Sequence, residues 1–499
     1  MIATVSAVGT AVGTVGFYVN GKWETPQGRK TQPVMNPATG EILAEVPFAT
    51  EADVDRAVRN AHETFLKWRD VPVVDRVQPL YRFKALLDRH ANEVAAILTR
   101  ENGKTADDAR MEVRRTIQMV EVACGMPTLM MGDSLNDVAA GLDCKTIRQP
   151  IGVCAGITPF NFPSMVPLWM YPFAIACGNT FVLKPSEKVP LTPVRIVELL
   201  HDAGLPPGVL NLIQGGKEAV DALLHHPLVK AVSFVGSTPI AKYIYTTAAA
   251  EGKRVQALGG AKNHLVVMAD ADMPKTVEAI IGSAFGAAGE RCLAGSVLVA
   301  VGDAAGPLLD LLVKRTKEIA VGDGSKDGVE MGPLVTSDHC KRVAGYIEKG
   351  VAEGATPLCD GREHKGGASH AASNAPGGYF LGPTIFDNVT PEMTIAKEEI
   401  FGPVLSVIRM KTLDDAINLV NQSPFGNATA IFTSSGKSAR EYSSRIEVGM
   451  VGVNVGVAAP MAFFPFAGWK NSFFGDLHAH GKDAVGFYTE QKVIMSRWF

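Results

Sequence analysis

From Pro150 onward the chain repeats one pattern: a short apolar run, turn residues, a stretch of helical spacing, then another apolar run. Runs of about four to eight apolar residues are too short for most helices and suit strands buried on both faces; alternation with helices points to a parallel sheet built through crossovers. Ile151 to Ile157, Thr180 to Leu183, Val209 to Ile213 and Ala231 to Val235 are the candidate strands of a first unit. Helices are predicted between them over Val166 to Ala176, Pro193 to Ala203 and Glu218 to His225. A second α/β unit spans about His264 to Val448, with strands at His264 to Met268, Ser296 to Val301, Val404 to Met410 and Thr429 to Phe432. Asp360 to Gly378, rich in Gly, Ala, Ser and His, reads as a surface loop between strands.

The flanking segments are different in kind. Phe17 to Val46 alternates β-type runs with turn signals at Asn20-Gly21, Asn36-Pro37 and Thr39-Gly40, the pattern of antiparallel strands. Thr50-Glu51-Ala52-Asp53 has the form of a helix N-cap, and Val54, Val58, Ala61, Phe65 and Trp68 follow at helical spacing. Helices are expected to continue from Val73 to about Cys124, broken near Asn102-Gly103. Leu135 to Gln149 loses the helical period and suggests a projecting strand pair. Val485 to Trp498 suggests a β-like tail able to pair with another subunit.

At 499 residues two or three domains are expected, and a formal net charge of -3 gives no basic footprint for nucleic acid. The 7 cysteines are scattered without a Cys-x-x-Cys pair, which suits reduced thiols in the cytoplasm and argues against a disulfide frame or a metal site. Met1 to Gly16 is uncharged and matches neither a secretory nor a mitochondrial leader, so it reads as a loose arm. No run approaches the roughly 20 apolar residues of a membrane span.

Cys292 stands in Phe285-Gly-Ala-Ala-Gly-Glu-Arg-Cys-Leu-Ala-Gly295, where Ala287, Ala288 and Gly289 allow close approach and Arg291 puts a cation beside a thiol whose reactive form is the thiolate. Ala231-Val-Ser-Phe-Val-Gly-Ser-Thr-Pro239 is a strand, a glycine turn and a helix start, with Ser237 or Thr238 able to cap and Pro239 suited to the first turn; free N–H groups at such a terminus attract phosphate. Lys184 and Glu187 lie just past a strand end, where a ribose could be held. Pro159-Phe160-Asn161-Phe162-Pro163 is a rigid loop able to aim an amide at a developing oxyanion. Glu398-Glu-Ile-Phe-Gly-Pro403 sets an acid pair before a Gly-Pro turn. Taken singly, each could be a strand-to-helix junction, an Asx turn or a solvated charge pair.

In this order and at these spacings, Pro-Phe-Asn-Phe-Pro, Lys-Pro-Ser-Glu, Phe-Val-Gly-Ser-Thr, Gly-Glu-Arg-Cys and Glu-Glu-Ile-Phe-Gly-Pro make the chain resemble the aldehyde dehydrogenase superfamily over nearly its whole length. The resemblance implies an α/β fold with a Rossmann-type NAD-binding domain (1–127 and 151–258, with 451–479 returning to it), a catalytic α/β domain (259–450) and oligomerisation strands (128–150 and 480–499). It implies Cys292 as nucleophile and Asn161 as oxyanion donor. It also implies NAD binding by Phe160, Lys184, Glu187, Gly236, Ser237, Glu399 and Phe401, with no metal. Ala241 departs from the family pattern, where a glycine usually closes Gly-Ser-x-x-x-Gly.

A second departure bears on the reaction. Members that release free acids usually carry Glu-Leu-Gly-Gly-Lys, whose glutamate activates water; here the segment is Leu258-Gly-Gly-Ala-Lys-Asn-His264, and leucine is no base. Gly-Ala-Lys-Asn-His, the Cys292 segment and Pro460 to Gly475 resemble the CoA-acylating branch of the family. That branch implies oxidative decarboxylation of methylmalonate semialdehyde to propionyl-CoA, and of malonate semialdehyde to acetyl-CoA, with coenzyme A as co-substrate and Arg115 and Arg291 gripping the substrate carboxylate. It also implies a homo-oligomer, a dimer or a tetramer. Two other readings stay open at this point: a hydrolytic semialdehyde dehydrogenase with Glu290 as base, and a catalytically silent relative on the same fold.

Overall fold

Thr50 ends the opening β segment and starts the first helix, Glu51–Trp68, through a capping box in which Thr50 and Asp53 bond each other's backbone N–H. Val54, Val58, Ala61, Phe65 and Trp68 form its buried face. The computed structural model describes residues 13–363 and 377–499. Of the N-terminal arm, Met1 to Ala11 and Val12 lie outside the described residues, and Gly13–Thr14 pairs in parallel with Ala44 and Glu45. Most of the Gly-rich loop, 364–376, also lies outside them; Thr356–Cys359 and Thr384–Asp387 on either side pair antiparallel. Among the described residues no helix is long and apolar enough to cross a membrane.

The first of two large sheets has 8 strands, in the order Phe473–Phe474, Arg254–Leu258, Val229–Val235, Val153–Ile157, Thr180–Lys184, Leu210–Leu212, Phe17–Val19, Lys22–Glu24. Its five middle strands are parallel. Both faces are covered, as continuous apolar runs require: Val153, Ala155 and Ile157 belong to one apolar cluster, while Cys154 between them belongs to another. From the central strand Val153–Ile157 the chain goes first to Thr180–Lys184 on one side and later to Val229–Val235 on the other. The strand order therefore reverses there, and the crevice outside the carboxyl ends is where α/β sheets bind ligands.

The second sheet has 7 strands, in the order Thr356–Cys359, Thr384–Asp387, Val404–Met410, Gly295–Val301, Asn263–Val267, Ala428–Phe432, Met450–Val453, and encloses its own apolar cluster. Only the first pairing is antiparallel. Residues 259–262 are all that separates the end of Arg254–Leu258 in one sheet from the start of Asn263–Val267 in the other. The carboxyl edge of the first sheet thus faces the amino edge of the second.

Several expectations change. The predicted helix Val166 to Ala176 is two short ones, Met165–Leu168 and Tyr171–Ala176. Arg254–Leu258, Thr384–Asp387 and Met450–Val453 are strands that the apolar pattern alone did not single out. Ser134–Ala139 and Leu142–Pro150 do form an antiparallel pair. The tail differs: Gly481–Tyr488 is a helix that buries Phe487 and Tyr488, and Thr489–Arg497 is a strand antiparallel to Leu142–Pro150 of the same chain. Burial of the two aromatics outweighs their β preference.

Arg254 ties this tail to the first sheet. Its Nη1 lies 2.9, 2.9 and 2.8 Å from the carbonyls of Gly486, Phe487 and Thr489, and its Nη2 pairs with Glu490. Arg254→Met should lower unfolding free energy by about 2 kcal/mol and speed hydrogen exchange over Thr489–Arg497 more than elsewhere. Uniform exchange would show that helix packing alone holds the tail.

Candidate active site

Cys292 lies just before Gly295–Val301, the centre of the second sheet, in a segment whose backbone is unusual. Ala287, Ala288 and Gly289 have φ of 49°, 52° and 73°, a left-handed turn that costs about 1–2 kcal/mol for each non-glycine residue. A Cβ on Gly289 would meet the Gly402 carbonyl at 2.3 Å, and one on Gly286 would meet Arg291 Nη1 at 2.5 Å. The Cys292 carbonyl accepts from Asn263 Nδ2 at 2.8 Å and Asn427 Nδ2 at 2.9 Å, both at the amino edge of the sheet. This fixes the direction of the Cys292 carbonyl; the Cys292 N–H, which belongs to the preceding peptide unit, has no carbonyl acceptor among the described residues.

Asn161 follows the central strand of the first sheet and is buried; its Nδ2 donates to the Glu290 carbonyl at 2.9 Å, which brings the amide beside the Cys292 segment and leaves its second N–H without an acceptor among the described residues. The loop is anchored from helix Ala106–Cys124. Glu112 Oε1 accepts the Ser164 and Met165 N–H groups at 2.9 and 3.1 Å, and Oε2 pairs with Lys104 Nζ at 2.5 Å. Lys104 in turn lies 3.7 Å above the Phe162 ring. One turn earlier, Asp108 accepts from the Ala287 N–H at 2.9 Å and from Arg291 Nη2 at 2.6 Å.

The electrostatics overturn one expectation. Arg291 was expected to favour the Cys292 thiolate, yet its guanidinium is bonded to Asp108 and to the Gly282 carbonyl. Burial, reinforced by the Glu399 carboxylate, pushes the Cys292 thiol up to about 12, against the pull of the Cys292 and Leu293 N–H groups and Lys104. Burial likewise pushes Glu290 up to about 8, so that it is mainly protonated at neutral pH. Its Oε1 accepts from the Val335 N–H at 3.3 Å and lies 3.4 Å from His339 Nε2. His339 Nε2 donates to the Phe401 carbonyl at 2.7 Å.

Around the crevice, Lys184 Nζ and Glu187 Oε2 are 3.2 Å apart at the carboxyl end of one strand, and Gly236 and Ser237 follow the other. Helix Thr238–Ala250 starts here with Pro239 in its first turn, but neither predicted cap forms. Ser237 makes no side-chain cap bond, while Thr238 Oγ1 accepts from the Gly260 N–H at 2.8 Å. The first N–H groups of the helix therefore have no side-chain cap, which suits a phosphate. Ala241 is buried in the apolar cluster behind. Glu399 Oε1 accepts from the Ala261 N–H at 2.8 Å; burial raises its carboxyl, with Lys262 and Arg342 opposing. The Phe160 and Phe401 rings meet edge to face at 5.9 Å, with Lys188 Nζ 4.9 Å from the Phe160 ring centre. A switch-point crevice, an uncapped helix start and a polar pair past a strand end together fit a dinucleotide.

The two arginines have different partners. Arg115 Nη1 donates to Gln118 Oε1 at 3.3 Å and lies 2.7 Å from Met461 Sδ, and no carboxylate pairs with Arg115 among the described residues. Arg115 and Asp108, the partner of Arg291, are seven residues apart on one helix, hence on the same face about 10 Å apart. Leu258 is 2% exposed in the apolar core, with no polar side chain in its place to activate water. Asp108, Glu112, Asn263, Asn427 and His339 are site elements that sequence reasoning passed over; of these only Asn263 stood inside a motif.

Residues 23–494 match the aldehyde dehydrogenase family. The malonate-semialdehyde dehydrogenase 2 of Geobacillus kaustophilus (strain HTA426) is 53% identical over 489 residues, covering 98% of this chain and 100% of that one. The crystal structure of methylmalonate-semialdehyde dehydrogenase from Oceanimonas doudoroffii superposes with a TM-score of 0.94 at 50% identity, over 98% of this chain and 99% of that one. A Sinorhizobium meliloti 1021 structure complexed with NAD gives 0.95 at 45% identity, over 98% and 99%. Motifs, sheets and near full-length identity agree: the chain belongs to the aldehyde dehydrogenase family.

Proposed function

We propose that this chain is an NAD-dependent semialdehyde dehydrogenase that keeps its acyl group on Cys292 until coenzyme A removes it. Methylmalonate semialdehyde would give propionyl-CoA and CO2, and malonate semialdehyde acetyl-CoA. The observation that carries the acylating reading is Leu258, enclosed in apolar core where a hydrolytic member needs a base. The hydrolytic alternative would fall to Glu290, whose carboxyl is mainly protonated at neutral pH and turned toward Val335 and His339. The names of the relatives support a malonate-type substrate.

In this reading the Cys292 thiol gives up its proton to water, the thiolate attacks the aldehyde carbon, and the oxyanion takes the Asn161 amide N–H and the Cys292 backbone N–H. NAD+, when bound, would accept the hydride that leaves the former aldehyde carbon and so convert the adduct to a thioester, and Phe160, Lys184, Glu187, Gly236, Ser237, Glu399 and Phe401 would hold it. The product thioester carries a carboxylate β to its carbonyl. Breaking that C–C bond sends the electron pair into the carbonyl as CO2 leaves, and the same two donors hold the enolate oxygen until its carbon is protonated. The thiol of coenzyme A then displaces Cys292. Arg115 and Arg291 hold the carboxylate before it departs.

The first sheet and its helices (1–127, 151–258, with 451–479 returning to it) would be the NAD-binding domain and 259–450 the catalytic one; Phe473–Phe474 pairing with Arg254–Leu258 supports that return. Segments 128–150 and 480–499 would join copies into a dimer or tetramer, since their three-stranded sheet exposes Leu135, Val138, Val493 and Met495. Seven unpaired cysteines favour the cytoplasm.

NADH formation from methylmalonate semialdehyde should depend on coenzyme A in the steady state and yield propionyl-CoA; equal rates without it, with free acid as product, would sink the acylating assignment. Arg115→Leu should lower kcat/KM for the carboxylated aldehyde at least about tenfold more than for propanal; equal losses would make Arg115 structural. Iodoacetamide should modify Cys292 of the unliganded protein slowly near pH ~7, with a rate still climbing at pH ~10, because the thiol is held up at about 12. A plateau near pH ~8 would mean that the thiolate is already stabilised.

A further inference from the structure

Arg291 is held on three sides. Asp108 Oδ1 accepts from Nη2 at 2.6 Å, the Gly282 carbonyl accepts from Nη1 at 3.0 Å, and the Gly286 backbone lies so close that a side chain there would strike Nη1. The pair is well enclosed, with side-chain exposures of 15% for Arg291 and 11% for Asp108. A guanidinium has five N–H donors, so three remain free to bond a carboxylate. The second Asp108 oxygen takes the Ala287 N–H, at the first residue of the left-handed turn that leads to Cys292.

We propose that Asp108 is a positioning residue for substrate specificity: it aims the spare N–H groups of Arg291 at the semialdehyde carboxylate and locks that aim to the Cys292 turn. This rests on Arg291 being a carboxylate ligand. It also divides the work between the two arginines. The Asp108–Arg291 pair is neutral as a unit and attracts an anion weakly, but it offers fixed directional bonds. Arg115 faces only an amide oxygen and a thioether among the described residues, so its charge is uncompensated and supplies the long-range attraction. Asp108 and Arg115 stand on one face of Ala106–Cys124, so a single rigid element sets the spacing between the direction-giving and the charge-giving cation.

The test compares malonate semialdehyde with propanal, using the full chain with NAD+ and coenzyme A. Asp108→Asn keeps an oxygen for the Ala287 N–H but removes the charge that grips Arg291. It should raise KM for malonate semialdehyde about tenfold, with a much smaller change in kcat and an effect on propanal at least about fivefold weaker. Equal losses with both aldehydes would show that Asp108 only supports the turn. An unchanged or lower KM for the semialdehyde would show that Asp108 is idle or competes with substrate; either result overturns the proposal. Asp108→Ser, which also keeps an acceptor, is read the same way if the asparagine variant does not fold. Arg291→Leu separates the two levels. If it fails to discriminate between the aldehydes, the carboxylate reading of Arg291 falls and this inference with it; if it discriminates while Asp108→Asn does not, only the role of Asp108 falls.

Discussion

Glu112 is almost wholly enclosed by protein, and its carboxylate joins three parts of the chain: the Lys104 ammonium, the Ser164 and Met165 N–H groups, and its own helix. A buried ion pair seldom adds net stability, because desolvating both charges offsets their attraction. What it contributes here is placement. The Asn161 loop cannot move relative to Ala106–Cys124 without uncovering a charge. Asp108, one turn earlier, holds the Cys292 segment to the same helix. Asn161 follows a strand of one sheet and Cys292 precedes a strand of the other, and this helix is the common reference for both.

The segment around Cys292 holds its shape against a local penalty. Two alanines in left-handed conformation are unfavourable alone. They persist because the turn is bonded on every side: Asp108 takes the Ala287 N–H, Asn263 and Asn427 take the Cys292 carbonyl, and Gly289 lets the Gly402 carbonyl come close. The Cys292 carbonyl is thereby turned toward the second sheet. The thiol in turn sits among protein atoms near Glu399, so a protonated resting state follows from the same enclosure that fixes its direction.

Much of this was legible in the chain itself. Apolar runs marked the core strands because parallel strands buried on both faces leave little room for polar residues. Arg254–Leu258 escaped that reading, since its arginine is held by the tail and its glutamine Nε2 donates to Ser233, partners outside the strand itself. Thr489–Arg497 is strand as expected, but the start of the tail is helix, because Val485, Phe487 and Tyr488 favour strands locally while the packing they reach favours a helix. Motifs drew attention to the Cys292 segment and to the residues around the crevice. They did not reveal Asp108 or Glu112, whose acidic side chains look in sequence like the ordinary first turns of a solvated helix. Asn427 had no signal at all, because its one visible task, holding the Cys292 carbonyl, spans 135 residues.

Gly286 has no side chain, and the Arg291 guanidinium occupies the space that one would fill. With Arg291 as the proposed carboxylate ligand, the sequence position that limits which substrates the site would grip is a glycine six residues before Cys292. As such chains diverge, any larger residue at this position must displace the arginine while leaving Cys292 and its bonding carbonyl partners in place. Under the proposed roles, selectivity for acidic aldehydes would in this way be lost in a single step, with the thioester-forming role proposed for Cys292 still encoded.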